Sequence, residues 1–216
     1  KVLYQKYNKN VIGIYNYVLL SELTNDRRKR VEELPNKVCF VGGIEEKRGI
    51  LNLVDALPYV NGGVELILGG NFPDKDFKVV LEKSKGWKFV DFRGYLSRED
   101  MNQVFKECLI GVVPFLPAEN HINSLPNKIF EYMGAGLPVL GSNFVYWEKL
   151  IDDNGVGSCV DTCDSLLIAE TMNLMLKDRA GLKKMGDTGA NLVREKYNWD
   201  SQMDSLKAFY RHVIKL

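Results

Sequence analysis

The chain has 216 residues, with 29 Lys plus Arg against 28 Asp plus Glu. That length supports one sizeable core without disulfide or metal staples, and the balance of charge excludes a global basic field that would gather nucleic acid or an anionic membrane. Four scattered cysteines (Cys39, Cys108, Cys159, Cys163) and only two histidines (His121, His212) argue against a disulfide framework and a structural zinc site. The cysteines sit mostly in apolar runs, which suits buried thiols in a reducing compartment. No apolar stretch approaches the ~20 residues of a membrane span and no signal peptide opens the chain, so a soluble, cytoplasmic protein is expected. The first residue, Lys1, hints at a piece of something longer.

Residues 1–36 do not fit any regular alternation. Their apolar run, Val11 to Leu20, is interrupted by Gly13 and Asn16, and they read as an arm or linker. The run Arg27-Arg28-Lys29-Arg30, next to Glu32 and Glu33, reads as a solvated turn, with a phosphate or membrane contact as the sharper alternative. From Lys37 onward, β-branched runs alternate with amphipathic stretches. Strands are expected at Lys37 to Val41, Val64 to Leu68, Lys88 to Phe92, Leu109 to Val113, Pro138 to Gly141 and Ser158 to Asp161. Helices are expected at Ile50 to Leu57, Asp76 to Lys85, Arg98 to Glu107, Leu125 to Ala135 and Tyr146 to Ile151, with Asp74 and Ser97 as caps. After Cys163 the pattern is helical, over Ser165 to Leu176, Ala180 to Tyr197 and Asp200 to Val213, the last capped by Asn198. The rhythm is that of an α/β fold with a doubly wound, six-stranded parallel sheet covered on both faces.

Ligands of such a sheet bind beyond the carboxyl ends of its strands. The first loop there contains Gly42, Gly43, Lys47, Arg48 and Gly49. Its glycines permit close approach of a phosphate, and Arg48 offers a fork for phosphate oxygens. It lacks both the dinucleotide fingerprint and the triphosphate-loop ending, and alone it also reads as a glycine turn with solvated charges. Asp74-Lys75-Asp76 reads as a helix cap and not as a metal-binding pair. A metal-free site must then neutralise a departing diphosphate with Lys, Arg and helix N–H groups. Tyr95, just past the third strand, either lies against a nucleobase or covers the edge of the core.

The densest chemistry lies between Asn123 and Ser142. On a helix, Ser124, Asn127, Lys128, Glu131 and Ala135 share one stripe, while Pro126, Ile129, Phe130 and Met133 share the other. Its amino-terminal turn, with free N–H groups, a hydroxyl and a lysine, suits an anion. One turn later Glu131 offers an acceptor to hydroxyls, so the pair suggests a ribose diphosphate. The plainer alternative is an amphipathic helix with a surface Lys128 to Glu131 pair, worth a few tenths of a kcal/mol. His121, in the preceding loop, is either a sugar contact or a solvated residue, and His212 reads as a surface residue.

The run Ser124-Leu125-Pro126-Asn127-Lys128-Ile129-Phe130-Glu131-Tyr132-Met133-Gly134-Ala135-Gly136-Leu137-Pro138-Val139 resembles the donor-binding segment of retaining glycosyltransferases of family four, which have the two-domain GT-B fold. Phe40 to Gly49, Glu65 to Gly70, and Phe92 to Ser97 with Leu109 to Pro114 resemble that family's other donor loops. The resemblance covers most of Lys37 to Leu216. It implies a carboxyl-terminal, nucleotide-sugar-binding domain over residues 37–216, preceded by an inter-domain connector over 1–36 and an acceptor-binding domain absent from this chain.

It further implies that Glu131 holds the ribose, that backbone N–H groups of Ser124 and Leu125 face the diphosphate, and that Arg48 and Lys128 act catalytically on the leaving group. Gly42, Gly43, Tyr95 and Asn123 complete the implied donor-binding set. Two positions depart from the family pattern. Asn123 stands where the first of two paired glutamates is usual, and Gly43 stands where an arginine is common. The implied activity is transfer, with retention and without metal or other cofactor, from a UDP- or GDP-type sugar to a saccharide or lipid-linked acceptor of surface polysaccharide or glycolipid. For the full-length protein the resemblance also implies peripheral membrane association as an expectation. A non-catalytic nucleotide-sugar-binding module, with Asn123 marking lost chemistry, is the alternative, and a nicotinamide-dependent oxidoreductase has only the sheet architecture in its favour.

Overall fold

The computed structural model describes residues 12–23 and 31–214. The basic run Arg27 to Arg30 lies outside the described residues. Six strands form one sheet: β1 (Lys37–Val41), β2 (Glu65–Gly69), β3 (Val90–Gly94), β4 (Ile110–Val113), β5 (Val139–Ser142) and β6 (Gly157–Val160). All neighbours are parallel, in the order β3-β2-β1-β4-β5-β6. The order reverses between β1 and β4, which opens a crevice at their carboxyl ends. The expected fold class is the observed one.

The central strands read as unbroken apolar runs because helices cover both faces. Val38, Cys39, Phe40, Leu66, Ile67, Leu68, Val112 and Val113 are all fully buried. The edge strand β3 is only half-buried and carries Arg93, which pairs with Asp91 at 2.8 Å and with Glu107 at 2.9 Å. Charged side chains on an edge discourage pairing with another chain.

The crossover helices are α1 (Ile50–Ala56), α2 (Lys75–Glu82), α3 (Arg98–Glu107), the short α4 (Glu119–Ile122), α5 (Asn127–Gly134) and α6 (Val145–Ile151). Three more follow the sheet: α7 (Ser165–Lys177), α8 (Arg179–Glu195) and α9 (Trp199–Ile214). The expected caps are in place. Asp74 accepts from the N–H groups of Asp76 and Phe77, Ser97 and Asp100 form a reciprocal capping box, and Asn198 Oδ1 accepts from Ser201 N at 2.9 Å. Helix α9 buries none of its residues, and Tyr210, Val213 and Ile214 are exposed.

One expected boundary moves for a chemical reason. The helix foreseen from Leu125 begins at Asn127, because Leu125 precedes a proline and Pro126 itself is extended (φ −70°, ψ 142°) at the N-cap. Helix α4 was not expected at all. None of the four cysteines is in a disulfide; Cys39 and Cys108 are buried, Cys159 is half-buried and Cys163 is exposed.

Tyr132 connects α5 to the sheet. It is fully buried, lies against Gly111 of β4, and its hydroxyl accepts the N–H of Val41 at 3.0 Å, at the point where β1 ends. Tyr132→Phe keeps the packing and strands a buried donor, so a loss of about 1–3 kcal/mol in denaturant unfolding is expected. An unchanged midpoint would mean that Val41 N–H finds another partner.

The described part of the arm packs on the same helix. Tyr17 meets Phe130 edge-on at 4.7 Å and Tyr197 at 5.5 Å, and Val18 is buried beside the start of α9, its carbonyl accepting from Trp199 N at 2.9 Å.

Candidate functional site

A cavity of about 560 Å³ opens where the strand order reverses. Gly42 and Gly43 after β1, Gly70, Asn71 and Pro73 after β2, Tyr95 after β3 and Phe115 after β4 line it together with Asn127, Lys128 and Glu131 of α5. Its floor is a backbone contact. Gly42 N donates to Gly69 O at 2.9 Å, and Gly70 (φ +140°) lies so close that a Cβ there would overlap the Gly42 carbonyl oxygen.

Lys128 and Arg48 converge on that floor. A Cβ built on Gly42 would stand 2.6 Å from Lys128 Nζ and 3.6 Å from Arg48 Nη1, so glycine leaves both cations open to the same point. Arg48 closes a single 3-10 turn (Glu46–Arg48), stacks over Phe115 at 5.4 Å and touches Glu45 at 3.4 Å. Lys128 is only 9% exposed, with its ammonium 5.0 Å from the Phe40 ring and 5.5 Å from that of Phe115. Among the described residues no carboxylate forms an ion pair with it. Burial, and then the charge of Arg48, lower its pKa to about 8 against weaker opposition from Glu131 and Glu45. The aromatic faces repay part of the desolvation. An anion placed at Gly42 would repay the rest.

Glu131 lines the cleft one turn along α5, with its side chain 17% exposed. It is held from outside the cleft by Arg98, whose Nη1 donates to Oε1 at 2.9 Å. Tyr95 is 76% exposed at the cleft mouth and does not cover the core. Its aromatic face is available to a planar ligand group.

Three expected site residues fall outside the cleft lining. Asn123 is exposed, its Nδ2 donating to Glu119 O at 3.2 Å. The Ser124 hydroxyl donates to Asn120 O at 2.6 Å, and Leu125 is half-buried in the turn before Pro126. The cause is α4, whose terminal carbonyls have no partner within so short a helix. The side chains of Asn123 and Ser124 satisfy them, so the hydroxyl expected to serve an anion serves a helix end. His121 is likewise neither solvated nor in the cleft. It is buried 4.7 Å from the Phe115 ring and its Nδ1–H donates to Leu116 O at 3.0 Å, which fixes its tautomer.

Residues overlooked by sequence reasoning are Phe40 and Phe115, which flank Lys128, Asn71 and Pro73 in the cleft wall, and Arg98. Phe40 lies near the end of β1 and Phe115 just past the end of β4, so both were legible as neighbours of the loops there. Nothing in the spacing connects residue 98 with residue 131.

A parallel sheet with this strand order, with its crevice at the reversal, is a doubly wound α/β domain of Rossmann-like type. The family model for glycosyl transferases group 1 matches residues 35–178, and the chain belongs to that family. A phosphatidyl-myo-inositol mannosyltransferase of Mycobacterium leprae is 24% identical over 185 residues, covering 83% of this chain and 47% of its own length. Anabaena HepE, solved with UDP and glucose, superposes with a TM-score of 0.78 at 17% identity, over 92% of this chain and 56% of that one. The C-terminal domain of a glycosyl transferase group 1 protein, LpcC, from Francisella tularensis aligns at a TM-score of 0.67 and 20% identity, over 84% of this chain and 99% of that one. The chain thus spans about half the length of the mannosyltransferase it resembles. Among the described residues no helix is long and apolar enough to cross a membrane.

Proposed function

We propose that this chain is the donor-binding half of a glycosyltransferase that takes its sugar from a nucleoside diphosphate. Residues 37–216 form the donor domain, and residues 1–36 are the connector to an acceptor-binding domain. The observation that carries this reading is the convergence of Lys128 and Arg48 on the Gly42 backbone, with Lys128 nearly buried and lacking an ion-pair partner among the described residues. Lys128, with Arg48 beside it and only Glu45 on Arg48 in opposition, suits a polyanion. Membership of the glycosyl transferases group 1 family supports the same conclusion.

In this reading the diphosphate lies on Gly42 and Gly43, Glu131 accepts hydrogen bonds from the ribose, and Tyr95 lies against the base. When the bond between sugar and diphosphate breaks, charge builds on the leaving oxygens. Arg48 and Lys128 stabilise that charge, Lys128 from a position held nearly out of solvent. Transfer with retained configuration, without metal, to a saccharide or lipid-linked acceptor rests on the resemblance to family four. Asn123, turned toward Glu119 O, supplies no carboxylate to the sugar. That observation favours a second reading, a binding module without catalysis, which sugar-transfer and donor-hydrolysis assays of the full-length protein decide.

Calorimetric titration with UDP and GDP, with and without magnesium, tests the donor site. Binding of one diphosphate without a metal requirement is expected, weakened roughly tenfold or more by Glu131→Ala as a charge-assisted bond of about 1.5–3 kcal/mol is lost. Binding of neither by this chain would remove the reading of a self-sufficient donor site, and an unchanged affinity for the variant would remove the ribose assignment.

A further inference from the structure

Glu131 lies on a ridge between two cavities. One is the donor cleft; the other, of about 300 Å³, is lined by Asn16 to Leu19 and Glu22 of the arm, Trp199, Asn127 and Arg98. Arg98 lines the second cavity and not the first. It therefore reaches Glu131 from the side away from the cleft, where Nη1 donates to Oε1 at 2.9 Å, and its Nη2 reaches Glu22 Oε2 at 3.1 Å. A carboxylate has two oxygens and about four acceptor sites. One oxygen tied down from behind leaves acceptor capacity in a fixed orientation toward the cleft.

The arm is attached to this arrangement at more than one point. Asn102, one turn beyond Arg98 on α3, donates from Nδ2 to the Glu22 carbonyl at 3.3 Å. Tyr17 packs on Phe130, the residue before Glu131, and the Leu23 side chain lies over Gly134 of the same helix, where a Cβ would come within 2.7 Å of it. Arg98 thus joins three elements through one planar guanidinium. A fork of that kind holds two carboxylates in fixed directions, which a lysine ammonium does not.

We propose that Arg98 is a positioning residue that presets the Glu131 carboxylate for the ribose hydroxyls and ties that setting to the arm through Glu22. The proposal rests on the donor-site reading above. Without Arg98, Glu131 is free to rotate and must be ordered by the ligand, so each ribose contact is weakened. The effect is confined to ligands that carry ribose hydroxyls. A purely structural role for Arg98 would lower affinity for every nucleotide alike.

The test is calorimetric titration of the unmodified chain, Arg98→Ala, Arg98→Lys, Glu22→Ala and Arg98→Ala/Glu131→Ala with UDP, GDP and their 2′,3′-dideoxy counterparts. Expected are a five- to tenfold loss for the ribonucleotide in Arg98→Ala, no loss for the dideoxy form, partial recovery in Arg98→Lys and a two- to threefold loss in Glu22→Ala. The double variant should bind no more weakly than Glu131→Ala alone. Equal losses for ribo and dideoxy ligands, or none, in Arg98→Ala would overturn the positioning role while leaving the donor site intact. Wild-type affinity in Glu22→Ala would overturn the link to the arm. If the unmodified chain binds no diphosphate, the reading of a self-sufficient donor site fails and this inference, which rests on it, fails with it.

Discussion

Replacing Lys128 by methionine is expected to weaken binding of the nucleoside diphosphate by roughly 30- to 150-fold, equivalent to about 2–3 kcal/mol for a charge-assisted contact in a desolvated site. The fold should tolerate the change. Methionine fills nearly the same space between Phe40 and Phe115 and removes a charge that is held out of water, so the free protein should unfold at the same temperature or higher. Loss of affinity with unchanged stability distinguishes a ligand-directed charge from a structural one.

The same residue sets a pH dependence. Its pKa in the free protein is lowered to about 8, and a bound anion raises it again. Affinity is therefore complete below pH 8 and falls as pH rises through the free and then toward the bound value, by up to about tenfold per pH unit between them. Binding above pH 8 takes up a proton. Titrations at pH 9 in buffers of different ionisation enthalpy should reveal that uptake, and Lys128→Met should abolish it. An affinity flat from pH 7 to pH 10 would show that the ammonium does not meet the ligand.

Gly70→Ala is expected to destabilise the chain by on the order of 3–4 kcal/mol, combining backbone strain with overpacking. Gly70 holds φ +140°, and the added Cβ would overlap the carbonyl oxygen of Gly42, so relief demands that the loops after β1 and β2 move apart. The midpoint of thermal unfolding should fall by roughly 10 °C for a domain of this size. Gly42 would move away from Lys128 and Arg48, so diphosphate affinity should fall as well. Gly63→Ala is the control. It also holds a positive φ (+77°) but has nothing within 4 Å of the built Cβ, so only about 1 kcal/mol of strain is expected. Equal losses for both variants would mean that the Gly42 to Gly70 contact is not what closes the cleft floor.

Much of the framework was written locally. Continuous apolar runs such as Val38 to Val41 and Leu66 to Leu68 identify strands buried on both faces, and Asp74, Ser97 and Asn198 mark helix starts through hydrogen bonds to residues two or three positions away. Lys128 and Glu131 shared a helical stripe in the sequence and share the cleft in the fold. The expected residues that lie outside the cleft lining share a physical origin. Asn123, Ser124 and His121 are short-range polar residues whose partners are chosen by an intervening helical turn, Glu119–Ile122, too short to leave a periodic signature.

By itself, then, the sequence determined the type and order of the elements, the parallel sheet and the helix that bears Lys128 and Glu131, because these follow from periodicity, caps and prolines within a few residues of one another. Tertiary structure alone decided how distant segments meet. It placed Arg48 beside Lys128 at Gly42, set Phe115 beneath both, and brought Arg98 between Glu131 and Glu22. Those contacts join residues tens of positions apart, and they arise from the strand order at which the sheet reverses, which no local pattern encodes.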